Sequence, residues 1–190
     1  MSFPNVTLKD AFTGNGALSA NWMMNPDPAY GMDTLVRIND AAAPTEDPSG
    51  NWWVAAQHTA DVDIVADIKN DFEDVGTYIK LYFRLQDVMG GIVDGYSVAF
   101  GSSVFDGGTT KIYLIRAATG ALINVFDTGN APLTDGSRIG IRVVDDNVEC
   151  YIDYGGGVWV LETTFATGGA VTGVGYAGIA WTQITPTTPV

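Results

Sequence analysis

Residues 137–181 constrain the fold more than any other part of the chain. Polar and apolar residues alternate along them, and Asp, Asn and Gly residues interrupt the pattern at 145–147 and 155–157. Period-two alternation between such turns is typical of half-buried antiparallel strands. The region therefore predicts a series of short strands. Cys150, the only cysteine, shares the apolar face of its strand with Val148 and is predicted to be a core thiol.

The same pattern runs through the rest of the chain. Further strands are predicted at residues 3–12, 34–38, 51–57, 60–68, 77–86, 96–100, 111–117 and 121–126. No window has a sustained period of 3.6, so we expect almost no helix. A dozen short strands call for two packed sheets, since a single large sheet would leave an apolar face in water. The sequence thus predicts an all-β, two-sheet antiparallel jelly-roll sandwich.

Domain boundaries follow from the same distribution of strands and turns. Residues 1–181 are predicted to form a single domain, because glycines and prolines are spread along the chain and no repeat is evident. Residues 182–190, with two prolines, are predicted to be an extended C-terminal tail. Residues 39–50 are predicted to be an irregular surface loop.

Two strands carry the clearest predictions about faces. In 77–86, four apolar residues are expected to point inward and the alternate residues outward: inward Ile79, Leu81, Phe83 and Leu85, outward Tyr78, Lys80, Tyr82 and Arg84. In 60–68, Asp61, Asp63 and Asp67 are expected to share a solvent-facing side.

The charge balance excludes several partners. Nine Lys and Arg residues against 22 Asp and Glu residues give a formal net charge of −13, which repels phosphate backbones and anionic lipid surfaces. We therefore expect neither nucleic acid nor membrane as a partner. The first residues lack the basic and apolar regions of a secretory signal, which predicts synthesis and folding in a reducing cytoplasm rather than export.

Aromatic residues are the candidates for a ligand or protein interface. Trp52 and Trp53 are adjacent on a predicted strand, so one should face away from the core, and an outward Trp can stack on a sugar ring or contact another subunit. Trp159, Tyr78 and Tyr82 could extend the same platform. Core packing is the alternative for each of them.

Polar candidates are weaker. Asp61 and Asp63 lie about 7 Å apart along one face of a strand, where a calcium ion could bridge them. Solvated carboxylates are the alternative, and no other cofactor is predicted. His58, the only histidine, has no nucleophile at a recognisable motif spacing, so no catalytic residues are predicted.

Several segments resemble the concanavalin A-like lectin and glucanase superfamily, in its laminin-G-like branch. The resemblance rests on residues 10–22, with Asp10-Ala11-Phe12 and Trp22, on Phe83-Arg84 and Gly95-Tyr96, on the hairpin 142–153 and on the return 173–179. It implies the jelly-roll fold and leaves the function open. The glucanases of the superfamily carry a Glu-x-Asp-x-(x)-Glu strand. The nearest segment here, 61–67, has no glutamate, and Asp61 and Asp67 lie about 20 Å apart.

Three classes of function follow. The favoured hypothesis is a non-enzymatic structural or interaction protein of a virion assembled in the host cytoplasm, either a capsid decoration protein or a tail-associated protein. It is favoured because the sequence has no recognisable catalytic constellation or secretory signal, is predicted to form one domain, and resembles phage-associated forms at residues 10–22. Its partners would be other virion proteins and further copies of itself, in a homo-oligomer such as a trimer. The alternatives are a carbohydrate-binding, lectin-like module and a glycoside hydrolase.

Overall fold

The computed structural model describes residues 3–4, 16–24, 35–38, 41–44, 49–69, 77–86, 94–102, 108–130 and 132–183. These residues form fourteen strands. The strands are β1 (Gly16–Ala17), β2 (Trp22–Met24), β3 (Leu35–Ile38), β4 (Ala41–Pro44), β5 (Ser49–His58), β6 (Val62–Asp67), β7 (Thr77–Gln86), β8 (Asp94–Ser102), β9 (Thr110–Arg116), β10 (Leu122–Asp127), β11 (Arg138–Val144), β12 (Asn147–Asp153), β13 (Val160–Ala166) and β14 (Gly175–Gln183).

Two large antiparallel sheets make up the sandwich. One has seven strands in the order β10-β9-β8-β7-β14-β5-β2, and the other has four in the order β13-β12-β11-β6. A small sheet, β1-β3-β4, adds three short strands. The described part of the chain contains no helix. The prediction of an all-β jelly-roll sandwich is confirmed.

The core lies between the two large sheets. The seven-stranded sheet contributes fully buried side chains such as Phe83, Tyr96 and Phe100, and the four-stranded sheet contributes Ile141 and Cys150. Each of these five side chains is completely inaccessible to solvent. The predicted core position of Cys150 is therefore confirmed.

Two boundaries differ from the sequence predictions. The segment 39–50 is not wholly irregular, because β4 pairs with β3 and β5 already begins at Ser49. The alanines and prolines of this segment concealed the strand, since both residue types are depleted in strands. The last strand, β14, continues to Gln183, beyond the predicted end of the domain. Residues 5–12, in the predicted first strand, and 184–190, in the predicted tail, lie outside the described residues.

A bulge at Arg84 changes the faces of β7. Arg84 has a φ of 52°, and the pairing of β7 with β8 shifts between Phe83 and Gln86. Ile79, Leu81 and Phe83 face the core as predicted, but Leu85 packs with Tyr82 on the other face of the sheet. The predicted outward position of Arg84 and inward position of Leu85 are both wrong, because a bulge inserts one residue and reverses the alternation beyond it.

The turned-in Arg84 side chain joins three loops at one end of the sandwich. Its guanidinium donates hydrogen bonds to the carbonyl oxygens of Ala60, Asp145 and Val171. Glycines flank the bulge on both neighbouring strands. A Cβ on Gly175 would lie 2.6 Å from Arg84 Cα, and one on Gly95 would lie 2.9 Å from the Arg84 carbonyl oxygen. The close approach of three strands therefore requires glycine at both positions.

Within the described ranges, no helix is long and apolar enough to cross a bilayer.

Candidate functional site

The outer face of the four-stranded sheet presents three rows of side chains. Because Ile139, Ile141 and Val143 of β11 face the core, the alternate residues of that strand face outward. The strand register then places outward residues of β6, β11 and β12 side by side. The rows are Asp63–Arg142–Glu149, Val65–Gly140–Tyr151 and Asp67–Arg138–Asp153.

Phe3 covers the central row. Its ring stacks on Tyr151 with the centroids 3.9 Å apart and the planes 8° from parallel. The ring lies directly over Gly140, because a Cβ at that position would be 2.6 Å from Phe3 Cζ. The absence of a side chain at Gly140 thus creates the trough in which the aromatic ring sits.

Arginine and aspartate pairs border the trough on both sides. Arg142 donates two hydrogen bonds to the carboxylate of Asp63, at 2.9 Å and 2.8 Å, and its guanidinium lies 5.3 Å from the centroid of the Phe3 ring. On the other side, Arg138 donates two hydrogen bonds to Asp153 Oδ2. Each guanidinium is therefore held in place by a charge-assisted pair.

Trp159 extends the aromatic surface at the start of β13. Its ring meets Phe3 edge to face at a centroid distance of 5.0 Å, and the Arg138 guanidinium lies 4.8 Å from its centroid. Trp159 and Phe3 are both partly exposed, and 35% of the Arg138 side chain is accessible to solvent. This outer face is therefore a partly open aromatic surface with an arginine at its edge, which we call the aromatic–arginine face: Phe3, Arg138, Gly140, Arg142, Tyr151 and Trp159.

Protonation states on this face follow from burial and pairing. Burial, together with the hydrogen bond to Glu149, raises the pKa of Tyr151 to about 12. Its neutral hydroxyl donates to Glu149 Oε2 at 2.6 Å. Burial favours the neutral form of Asp153, but Arg138, together with hydrogen bonds from the backbone N–H groups of Gly157 and Gly155, holds the pKa of that carboxyl below its ordinary value. At neutral pH, Asp153 is thus an ionised acceptor and Tyr151 a neutral donor.

The structure separates the predicted aromatic platform. Tyr78 and Tyr82 belong to β7 of the seven-stranded sheet, whereas Trp159 leads into β13 of the four-stranded sheet. Only 6% of each tyrosine is accessible, and Tyr78 meets Tyr113 edge to face at 5.3 Å. The prediction that these tyrosines and Trp159 form one exposed platform is therefore wrong, because β7 is buried on both faces at its centre.

Of the two predicted tryptophans, only the backbone is described. Trp52 and Trp53 lie in β5, where they pair with Gly178 and Ala177 of β14. Their proposed roles in ligand or subunit contacts stay predictions.

The two predicted metal ligands, Asp61 and Asp63, have different hydrogen-bond partners in the structure. Asp61 is exposed and accepts a hydrogen bond from the backbone N–H of Asp145 at 3.0 Å. Only 9% of the Asp63 side chain is accessible, so its predicted solvent-facing position is wrong, and Arg142 supplies its positive partner. No group of three or more potential metal ligands occurs among the described residues. Calcium binding by this pair stays a prediction.

Sequence reasoning did not find Phe3, Arg138 or Arg142 as site residues. A signal existed in the hairpin of β11 and β12. A two-residue turn at 145–146 sets Arg142 opposite Glu149 and Arg138 opposite Asp153, with Gly140 between the two arginines. Phe3 gave no comparable signal, because nothing local fixes where an N-terminal residue docks.

Solved structures with a similar jelly-roll fold include a carbohydrate-binding module, a protein with a galectin-like fold and a glucanase. The carbohydrate-binding module CBM66 from Bacillus subtilis has a TM-score of 0.56 and 13% identity, and the match covers 87% of this chain and 94% of that one. A Bacillus subtilis protein of unknown function with a galectin-like fold has a TM-score of 0.57 and 11% identity, covering 85% and 83% of the two chains.

Glucanases share the fold as well. SCLam, a non-specific endo-beta-1,3(4)-glucanase of family GH16, has a TM-score of 0.57 and 9% identity, and the match covers 97% of this chain and 83% of that one. No protein-family model and no curated protein matches the sequence. At these identities the likeness establishes the fold alone.

Proposed function

We propose that the protein is a non-catalytic carbohydrate-binding module that holds a sugar ring against the aromatic–arginine face. The observation that carries this proposal is the partly exposed Trp159 ring beside the Arg138–Asp153 pair. Sugars present apolar C–H faces, which stack on aromatic rings, and hydroxyl groups, which need fixed donors and acceptors. Trp159 supplies a ring, Arg138 supplies donors, and Tyr151 with Glu149 supplies a polar edge. The resemblance of the fold to CBM66 supports the same class of function.

The charges on this face favour binding over hydrolysis. Retaining and inverting glycosidases need one carboxylic acid that stays protonated until it donates to the leaving group. Here the pKa of Asp153 is lowered, and Asp63 is bound at both oxygens by Arg142. Of the four carboxylates in the outward rows, these two are therefore not suited to act as a general acid. Both instead hold arginine side chains in fixed positions.

Glycan-array screening followed by calorimetric titration of the best ligand tests this function. Trp159→Ala should weaken binding at least about tenfold, equivalent to about 1.4 kcal/mol. Val174→Ala is the matched control, because Val174 is 54% exposed in the loop before β14, which belongs to the other sheet. Equal affinities of Trp159→Ala and the parent protein, or no binding to any glycan, would contradict the proposal.

A second candidate function is a structural role in a virion, as a capsid decoration or tail-associated protein with self-association. The observation that favours it is a set of exposed apolar side chains at two sheet edges, including Leu122 in β10 (56% exposed) and Val158 just before β13 (68% exposed). Such surfaces mark protein contacts. Mass spectrometry of purified particles from the source would test it: recovery of the chain supports the role, and its absence from every particle fraction contradicts it.

A further inference from the structure

We propose that β10 pairs antiparallel with β10 of a second copy, so that the seven-stranded sheet continues across a two-fold dimer. This inference does not depend on sugar binding, because it concerns the opposite sheet. It specifies which strand and which symmetry would join two copies.

The first observation is the exposed edge. β10 ends the seven-stranded sheet, and the only strand that pairs with it in the described part of the chain is β9. Leu122, Ile123 and Val125 are 56%, 41% and 47% exposed. Edge strands are ordinarily protected by charged residues, proline or bulges. A register shift does occur between Leu122 and Asn124, but the strand's only charged residue is Asp127, at its end.

The second observation is that other exposed apolar residues lie on the same flank. Asn130, just after β10, donates a hydrogen bond to the Tyr154 hydroxyl, which donates to Glu162 of β13. These bonds bring the edges of both sheets to one side of the sandwich. Exposed large apolar residues accompany both edges: Leu122, Ile123 and Val125 in β10, and Tyr154, Val158, Val160 and Leu161 in β13 or just before it. An apolar concentration of this kind is typical of an interface.

The third observation identifies a second copy as the occupant. A sheet edge that no strand of the described ranges pairs with is best completed by another strand, and an antiparallel strand related by a two-fold axis is complementary to itself. Antiparallel pairing about the middle of β10 places the two Asp127 carboxylates at opposite ends of the contact. Each also lies 3.9 Å from Lys111 of its own chain. The contact itself therefore brings together uncharged residues.

The overall charge gives this dimer a distinctive salt dependence. Two copies that each carry a formal charge of −13 repel each other at low ionic strength. Salt screens that repulsion and also strengthens apolar contacts. Dimerisation should therefore become tighter as salt is raised, whereas a contact held by opposite charges would weaken.

Sedimentation equilibrium at about 0.05 M and about 0.5 M salt tests the proposal. We expect the mass to double with concentration, and the dimer to tighten several-fold at the higher salt. Val125→Lys should weaken the dimer at least about tenfold, because it places a charge in the apolar contact. Val174→Lys is the matched control, at an exposed valine away from this flank, and should leave the dimer intact. If Val125→Lys does not fold, as judged by circular dichroism, Ile123→Lys is used in its place.

Several results would overturn the proposal. They are a monomer up to about 1 mM, a trimer or larger ring, or an unchanged dimer in Val125→Lys. Amide hydrogen exchange gives an independent readout, since the backbone of β10 should become protected as protein concentration rises. The dimer and sugar binding can be tested separately, because β10 and the aromatic–arginine face belong to different sheets. The monomeric Val125→Lys variant should therefore bind glycans as the parent protein does.

Discussion

Replacing Gly140 by alanine tests whether Phe3 is held in place by the missing side chain beneath it. The new Cβ would lie 2.6 Å from Phe3 Cζ and 2.9 Å from Val65 Cγ1. Both distances are shorter than a van der Waals contact, so the neighbouring side chains must move. Since Val65 can rotate its methyl groups and the sheet cannot move as easily, we expect the Phe3 ring to be displaced from Tyr151.

The magnitude follows from three contributions. Loss of the parallel stack with Tyr151 costs about 0.5–1.5 kcal/mol. Re-exposure of a half-buried phenylalanine costs about 1 kcal/mol, half of the value for a fully buried side chain. Alanine in a strand returns about 0.5–1 kcal/mol relative to glycine. The net expectation for Gly140→Ala is a loss of about 1 kcal/mol.

A double-mutant cycle with Phe3→Ala separates this mechanism from a general effect on the strand. With the ring gone, Gly140→Ala should be neutral or slightly stabilising, so the two single losses should not add. The assay is urea unfolding, with shifts in the midpoint at unchanged m-value. Gly156→Ala is the matched control, because a Cβ at Gly156 meets no atom within 4 Å. Additive losses in the double variant would refute the reasoning.

Two further predictions concern titration and reactivity. Because Arg138 lowers the folded-state pKa of Asp153 despite its burial, the stability from this pair is present above about pH 4 and is lost as the pH falls through the folded-state pKa. Arg138→Met should therefore be less stable than the parent at pH 7, and the difference in urea midpoints should shrink towards pH 3; a constant difference would contradict this account. Cys150 is fully buried and burial raises its thiol pKa, so an aromatic disulfide reagent should react with it only as the protein unfolds in urea. Rapid reaction of the native protein would show that the core position is wrong.

The fold was predictable from the sequence because the side-chain period of a strand is local. Alternation identified β7 with its observed bounds and placed Cys150 in the core. It failed where geometry depends on neighbours. The bulge at Arg84 leaves no mark on the alternation. Strand β4 is built from alanine and proline, which are depleted in strands, and it forms by pairing with β3.

The candidate site was less predictable, because it depends on contacts between distant parts of the chain. Trp159 was identified as a candidate, but the tyrosines predicted to lie beside it, Tyr78 and Tyr82, belong to the other sheet. The pairing of Arg142 with Asp63 joins residues 79 positions apart, and no pattern within one strand could indicate it. Asp63 was therefore expected to be solvated, whereas in the structure it forms an ion pair with Arg142.

The hydrogen bonds of Arg84 have a consequence for how the sandwich tolerates change. One guanidinium ties the segment before β6, the β11–β12 turn and the loop before β14 to the same point, and two glycines leave room for the strand that carries it. Insertions in any one of these loops would pull against the other two. That end of the protein should therefore vary little in loop length, and an engineer who wishes to graft a new loop should begin at the opposite end.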